Sequence, residues 1–211
     1  MNISKLDEER KLAILNAALK EFVTKGYDAA STNIIAKEAG ISKALMFHYV
    51  ENKQELFLFV YRYFKQLLDE HYYQKLDTRE QELFSKLRQS YLLQIDLIRQ
   101  YPAILEFDKL TEPTNSHVIN EILLHENQQN NLAECSAILD TIDESHFRKE
   151  LDKNICKQFI TWANIGFTTQ ILQEIKRSGA DSFDSEKIIE HLDAYFDELR
   201  KIFYSPLEKM N

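Results

Sequence analysis

The sequence predicts an all-α protein. Only 4 glycines and 3 prolines occur among 211 residues, so few positions interrupt a helix or form a tight turn. Apolar residues recur at intervals of three and four along most of the chain, which is the spacing of one helix face. Hydrophobic residues make up 44% and charged residues 28%, which indicates a globular chain with a substantial core. We expect about nine helices in total.

The first helix is predicted over roughly residues 7–25, with Ile14, Ala18 and Phe22 along one stripe and Gly26 ending it. Two short helices with a tight turn between them follow over residues 31–50.

The ends of these two short helices carry recognisable signals. Ser31 and Thr32 are hydroxyl residues of the kind that cap a helix N-terminus. Gly40 follows the first short helix, where a left-handed backbone suits glycine best. Ser42 is a second hydroxyl cap and opens the next helix.

The second short helix has an unusual outer face. Met46 and Val50 lie one turn apart and are predicted to point inward. Leu45 and His48 then point the other way, beside aromatic neighbours. An outward leucine flanked by aromatic rings suits thymine methyls, base edges and phosphates in a DNA major groove. The alternative is a simple helix–helix corner with an ordinary aromatic surface.

Asn52-Lys53-Gln54-Glu55 resembles a capping box at the start of the next helix. The amide groups at that helix start, with Lys53 beside them, form a natural phosphate anchor.

The segment from Arg10 to about Tyr63 resembles the DNA-binding domain of the TetR family of bacterial one-component regulators. Several motifs coincide in order, which makes the resemblance specific. The matching residues are Ile14-Leu15-Asn16-Ala17-Ala18, Phe22, Lys25-Gly26-Tyr27, Ala30-Ser31-Thr32, Ile35-Ala36-Lys37-Glu38-Ala39-Gly40-Ile41-Ser42-Lys43, Phe47-His48-Tyr49 and Asn52-Lys53.

The resemblance implies a helix-turn-helix DNA-binding domain over residues 1–53, with a family domain of roughly 8–68 and the motif at 31–50. Phosphate contacts are then expected from Thr32, Lys43, Tyr49 and Lys53. Residues expected to face or line the groove are Ala44, Leu45, Phe47 and His48. Ser31, Asn33 and Ser42 complete the predicted DNA-binding set.

The chain departs from the family pattern at three places. Ala44-Leu45 stands where Gly-Thr or a similar pair is usual, Val50 where an aromatic residue is usual, and Ile34 where a polar residue is usual. Because Leu45 cannot hydrogen-bond to a base, base readout is expected to depend on methyl contacts and DNA shape.

The charge is distributed unevenly. The formal net charge is −8. Residues 1–53 hold 8 Lys/Arg and 7 Asp/Glu, a balance of +1, so the remaining residues carry −9. The acidic excess therefore lies outside the predicted DNA-binding domain, and DNA affinity is expected to depend on the positions of individual lysines and to weaken with salt.

Several other classes of protein are not supported by the sequence. No apolar run approaches the ~20 residues that span a bilayer, and the N-terminus has no signal-peptide core, so we expect a cytoplasmic protein without membrane contact. No phosphate loop, nucleophile motif or paired carboxylates appear, so neither an enzyme nor a cofactor is predicted. His117, His125 and Cys135 are too widely spaced to predict a metal site, and Cys135 and Cys156 are expected to be reduced thiols.

Residues 54–211 are predicted to form a larger helical domain for regulation and dimerisation. Its first helix runs from Asn52 to about Lys75. Thr78-Arg79-Glu80-Gln81 is a capping box for a helix that Tyr101-Pro102 interrupts. The predicted helices that follow are Ala103–Leu110, about Ser116–Leu139, 152–177 and 184–204.

The last two helices each carry two apolar stripes, where a surface helix normally shows one. Two stripes indicate burial on both sides, either in a thick monomer core or against a second chain. In proteins of the TetR family these helices form a four-helix dimer bundle, which favours the second alternative. The predicted interface residues are Gly166, Ile171, Ile189, Leu192, Phe196, Leu199 and Phe203.

A helical domain rich in aromatic residues can enclose a small-molecule cavity, although plain core packing would use the same residues. The candidate lining residues are Tyr91, Phe107, Phe147, Phe159, Trp162 and Phe167. Their chemistry predicts a fairly hydrophobic effector. In the TetR family such a ligand changes the spacing of two DNA-binding heads.

The function predicted is that of a ligand-responsive dimeric repressor bound to a pseudo-palindromic operator. The alternatives are an activator of the same fold, a helical protein–protein adaptor, and a helical enzyme or metal carrier.

Overall fold

The computed structural model describes residues 7–77, 79–128, 141–179 and 182–206. Within these ranges the regular structure is helical apart from one isolated antiparallel bridge between Phe147 and Tyr204, which confirms the all-α prediction. The α-helices are α1 (Glu8–Ala29), α2 (Thr32–Glu38), α3 (Lys43–Tyr49), α4 (Lys53–His71), α5 (Leu83–Gln100), α6 (His117–Gln128), α7 (Lys153–Ser178) and α8 (Ser185–Phe203). Short 3₁₀ segments are Tyr73–Lys75, Pro102–Thr111 and Glu144–His146. None of the helices described here is long and apolar enough to cross a membrane.

The chain divides into two compact units. Of the described residues, the first unit contains 7–70 and 103–128, and the second contains 71–77, 79–102, 141–179 and 182–206. This division differs from the sequence boundary at residue 53, because nearly all of α4 and all of α6 belong to the same compact unit as α1–α3.

Aromatic packing explains why α4 belongs to the first unit. Phe57 of α4 meets Phe22 of α1 edge-on at 5.1 Å between ring centroids and Tyr27 at 5.2 Å. Further along α4, Tyr61 stacks on Phe107 at 5.5 Å. Edge-on and offset ring pairs of this kind add to the apolar area that is buried.

Helix α1 follows its prediction closely. The carboxylate of Asp7 accepts the Arg10 backbone N–H at 2.9 Å and caps the helix. The predicted stripe of Ile14, Ala18 and Phe22 is buried. Gly26 has a φ of +69°, so the regular helix is interrupted there before the chain resumes helical structure to Ala29.

The second unit begins its long helix later than predicted. Glu82, and not the Thr78 box, caps α5 by accepting the backbone N–H groups of Phe84 and Ser85. Thr78 itself lies outside the described residues, as do the predicted helical residues 129–139. An ion pair between Arg88 and Asp193 then joins α5 to α8, with distances of 2.5 and 2.9 Å.

Candidate functional site

The start of α2 is held by α1. Glu21 is a buried carboxylate of α1, and its Oε1 accepts the backbone N–H of Ser31 at 2.9 Å. The Ser31 side chain makes no capping hydrogen bond, so the predicted hydroxyl cap is wrong at this position. A carboxylate from the neighbouring helix anchors this end of α2 instead.

The turn between α2 and α3 has the geometry of a Schellman motif. Ile41 N–H donates to the Ala36 carbonyl at 3.0 Å, and Gly40 N–H donates to the Lys37 carbonyl at 3.1 Å. Gly40 has a φ of +67°, with open space where a Cβ would stand. The backbone conformation, and not crowding, therefore requires glycine here.

Helix α3 is anchored by two residues and capped by a third. Met46 and Val50 are 0% and 1% exposed, which confirms the predicted inward face. Ser42 Oγ accepts the Leu45 N–H at 3.1 Å, which confirms the predicted cap.

The remaining side chains of α3 form its outer face. Lys43, Ala44 and His48 are exposed, and Leu45, Phe47 and Tyr49 are half-buried. The Lys43 ammonium lies 5.7 Å from the centre of the Phe47 ring. Neither Leu45 nor His48 is sealed inside the protein, so this face is available to an external partner. We call these six residues the α3 outer face.

The start of α4 is fixed beside α3. Asn52 Oδ1 accepts the Glu55 N–H at 2.9 Å, as the capping pattern predicts. The Lys53 ammonium donates to the Asp28 carbonyl at 3.0 Å and lies 4.9 Å from the centre of the Tyr27 ring. One of its three N–H groups is thus used inside the first unit, which leaves two for another acceptor.

Helix α2 contributes a feature that the sequence prediction omitted. Asn33 is exposed and Thr32 is half-exposed, as a DNA contact requires. Ile34 follows them in sequence and is 46% exposed. The only sign of this exposed side chain in the sequence was that position 34 has an apolar residue where a polar one is usual.

The predicted dimer residues lie mostly inside their own protomer. Leu192 and Phe196 are 0% and 1% exposed, and Ile171 and Leu199 are also buried. Ile189 and Phe203 are half-buried, and Gly166 alone of the set is exposed. Assigning the four buried residues to a surface was wrong, because their stripes pack in the core of the second unit.

Helix α7 carries a second apolar stripe, and this stripe is exposed. Ile155, Phe159, Trp162 and Ile165 follow one another at intervals of four, three and three residues and are 52–61% exposed. Trp162 lies about 200° around the helix from the fully buried Ile160, at roughly 100° per residue. We call these four residues with Gly166 the α7 stripe.

The six residues predicted to line a cavity do not surround a common space. Phe107 packs in the first unit, Phe147 is buried against Tyr204 at 5.3 Å between centroids, and Phe159 and Trp162 are exposed. Phe167 stacks on Tyr195, with centroids 4.5 Å apart and planes 3° apart. These side chains were assigned by residue type, and their helices turn them to different surroundings.

Tyr91 does line a cavity in the second unit. The cavity lies between α5 and α7 and has a volume of about 320 Å³. Its lining residues are Tyr72, Leu87, Ser90, Tyr91, Gln94, Ile160, Thr161, Asn164, Ile165, Thr168 and Thr169. Hydroxyl and amide groups are therefore far more frequent than aromatic rings.

Comparison with known proteins shows a family similarity in the first unit. Residues 14–60 match the model of the bacterial regulatory proteins of the tetR family. Over these residues the chain is similar to the TetR family. The matched segment contains every residue of the predicted DNA-binding set, from Ser31 to Lys53.

Curated relatives of this chain are described as regulators. The uncharacterized HTH-type transcriptional regulator YhgD of Bacillus subtilis (strain 168) is 31% identical over 106 residues, which is 50% of each chain. The HTH-type transcriptional activator FasR of Mycolicibacterium smegmatis is 34% identical over 110 residues, again 50% of each. The chain thus matches about half the length of these relatives, and their descriptions agree with the prediction that it is not an enzyme.

Solved structures extend the likeness in fold to most of the chain. A TetR family transcriptional regulator from Chloroflexus aurantiacus J-10-FL has a TM-score of 0.66 and 15% identity and covers 97% of both chains. AibR, solved in complex with isovaleryl coenzyme A and operator DNA, has a TM-score of 0.61 and 18% identity and covers 94% of this chain and 100% of its own. At these identities the likeness establishes the fold.

Proposed function

We propose that this protein is a homodimeric TetR-family regulator that binds a pseudo-palindromic DNA operator and is released from it by a small effector. The observation that carries the proposal is α3: a short helix anchored by Met46 and Val50 leaves its other side chains available on an outer face. A merely structural corner does not need such a face, whereas insertion into a major groove does.

The outer face supplies distinct chemical groups for DNA. Lys43 and Tyr49 offer an ammonium and a hydroxyl to phosphates, which position the protein. Leu45 and Ala44 offer methyl groups to thymine, and His48 offers a ring nitrogen to a base edge. Lys53 has two N–H groups left for a phosphate at the start of α4.

The proposed dimer forms through the α7 stripe. Exposed large apolar side chains in a contiguous row are typical of an interaction surface. Gly166 supports a second copy as the occupant. It is a glycine inside a helix without a positive φ, and apart from its chain neighbours and the nearby backbone of its own helix no described atom lies within 4 Å of the point where a Cβ would stand. Neither backbone conformation nor crowding within the protomer requires glycine there, although glycine destabilises a helix by about 1 kcal/mol relative to alanine.

A close helix–helix approach would explain why glycine stands at position 166. Two copies related by a two-fold axis would place the same stripe on both sides of the interface. The same symmetry would present two α3 helices to two half-sites of an operator.

The effector is proposed to act by population shift. A ligand that binds the DNA-incompetent state more tightly moves the protein towards that state. The solved AibR complex contains an acyl coenzyme A and operator DNA, and FasR is named as an activator. We propose repression with release by ligand for this chain, and a ligand that increases DNA affinity would establish the activator alternative instead.

Selection of bound sequences from a random duplex pool tests the proposal. We expect an inverted repeat with half-sites about one helical turn, or a multiple of it, apart. A Leu45→Ala, His48→Ala double variant should lose that motif. Lys149→Ala, which removes an exposed lysine outside both proposed surfaces, should enrich the same motif as wild type. Recovery of no motif, or of a motif without two-fold symmetry, would contradict the proposal.

A further inference from the structure

The cavity between α5 and α7 is lined by a chain of hydroxyl and amide groups on the α5 side. Tyr72 and Ser90 share a hydrogen bond of 2.7 Å between their hydroxyl oxygens. Gln94 donates from Nε2 to Ser90 Oγ at 3.1 Å. Gln94 lines the cavity, and its side-chain oxygen makes no hydrogen bond to the described part of the protein, so it has acceptor capacity left for a ligand.

A second polar group lies on the opposite wall. The Tyr91 hydroxyl is 2.7 Å from Thr168 Oγ1 and 3.3 Å from Asn164 Oδ1. These groups include both donors and acceptors, and the hydroxyl hydrogens can rotate to suit a partner. Each wall can therefore donate to a ligand or accept from it.

The cavity has no ionised side chain among its lining residues. Burial raises the pKa of Tyr91 above its usual value, so its phenol is neutral at physiological pH. The nearby Arg88 on α5 is engaged by the Asp193 carboxylate at 2.5 Å. A charged ligand would lose its hydration without gaining an opposite charge, which is unfavourable.

The other part of the lining is apolar, and the space is small. Leu87, Ile160 and Ile165 supply aliphatic surface. A volume of about 320 Å³ lies at the lower end of the range of small-molecule sites. The cavity is partly open to solvent, since its lining residue Ile165 is 60% exposed, so a small molecule can enter it.

We propose that this cavity binds a small uncharged molecule that has an apolar body and one group able both to donate and to accept hydrogen bonds, such as a primary carboxamide or an alcohol. The polar group lies between the Ser90–Gln94 wall and the Tyr91–Thr168 wall, and the apolar body lies against the aliphatic residues. This inference rests on the proposed function in one respect: it assigns the bound molecule as the effector of the regulator. It refines the hydrophobic effector that the sequence predicts, because it adds one polar group to the apolar body.

Three probes of nearly the same shape test the charge requirement: benzamide, benzoate and benzamidinium. Binding of each to the full-length protein is measured by ligand-observed NMR titration and by the shift in melting temperature. We expect benzamide to bind and to raise the melting temperature, and the two ions to bind at least tenfold more weakly. Benzoate or benzamidinium binding as tightly as benzamide would overturn the proposal, and so would undetectable binding of benzamide.

Two isosteric variants test the location. Thr168→Val removes the hydroxyl that contacts Tyr91, and it should weaken benzamide binding about fivefold, the effect of one hydrogen bond. Thr169→Val is the matched control, because the Thr169 hydroxyl donates to its own helix at the Ile165 carbonyl, 2.8 Å away. Equal effects of the two variants on benzamide affinity would place the probe elsewhere and overturn the assignment.

Operator binding is measured separately in the same preparations. Benzamide binding by a protein that fails to select DNA would support the cavity assignment and contradict the regulator. Sequence-selective DNA binding without any benzamide binding would support the regulator and contradict the cavity assignment.

Discussion

Lys53 donates from its ammonium to the backbone carbonyl of Asp28 at 3.0 Å, so the first turn of α4 is tied to the end of α1. The Asp28 carboxylate in turn accepts the Asn115 N–H at 2.9 Å, which brings the segment before α6 to the same point. Lysine at position 53 therefore has a structural role in the first unit in addition to its proposed contact with phosphate.

Replacing Lys53 should separate these two roles. Lys53→Met is expected to weaken binding to operator and random DNA alike, and to lower the stability of the protein by up to about 1 kcal/mol through the lost hydrogen bond. Lys43→Met should weaken DNA binding with little change in stability, because Lys43 is exposed and its ammonium lies as far as 5.7 Å from the centre of the Phe47 ring. Fluorescence anisotropy at several salt concentrations and urea unfolding measure the two effects. Equal unfolding midpoints for both variants would remove the structural role of Lys53.

Substitution of Leu45 should change the sequence preference for DNA, whereas substitution of Tyr49 should change the affinity for all sequences. Leu45→Ala removes methyl contacts to bases and is expected to change sequence preference by about 1–3 kcal/mol at one position. Tyr49→Phe removes a hydroxyl proposed to meet a phosphate, so it should weaken binding to all sequences by a similar factor. Competition assays with operator and scrambled duplexes distinguish these outcomes. A Tyr49→Phe variant with altered preference and unchanged overall affinity would contradict the assigned roles.

The α7 stripe should control the oligomeric state. Trp162→Glu introduces a charge in place of an apolar side chain that is 61% exposed in the protomer, and we expect a folded monomer with reduced operator affinity because the two heads are no longer linked. Lys149→Gln changes the net charge by the same amount at an exposed position off α7 and should remain dimeric. Sedimentation velocity and circular dichroism check mass and folding. A Trp162→Glu variant that stays dimeric would exclude this stripe as the interface.

The carboxylate of Glu82 should make the free energy of unfolding of the second unit depend on pH in the acid range. Burial of Glu82 by itself raises its pKa, but hydrogen bonds from Ser85, Arg200, the Phe84 N–H and Tyr204 outweigh burial and lower the pKa from 4.5 to about 2. Because the folded pKa lies below the ordinary one, this stabilisation is complete above about pH 4.5 and is lost as the pH falls towards 2. It amounts to up to about 3 kcal/mol at neutral pH.

Glu82→Gln should therefore be less stable than wild type at pH 7, and the difference should shrink between pH 4.5 and 2. Urea unfolding across this range measures it. Glu174→Gln, at an exposed position on α7, should follow the wild-type profile throughout. A constant difference between wild type and Glu82→Gln over the whole range would show that the carboxylate charge is not responsible.

The helix-turn-helix could be predicted in detail from the sequence because its determinants are local. Gly40 has to adopt a left-handed backbone, Ser42 caps the helix that it precedes, and the spacing of Met46 and Val50 fixes which way α3 faces. Each of these depends on residues a few positions apart, so they can be recognised without knowing the rest of the fold.

The surfaces of the second unit depended on tertiary structure. The periodicity of the sequence predicts two apolar stripes on α7 and the angle between them about the helix axis. It does not predict which stripe is buried, because both are apolar. Only packing within the second unit decided that Ile160 and Ile171 are buried and Trp162 is exposed. The cavity wall of Ser90, Tyr91 and Thr168 likewise joins residues more than 70 positions apart. The sequence alone therefore determined the local geometry of the helices, and long-range packing determined which of their faces remain open to a partner or a ligand.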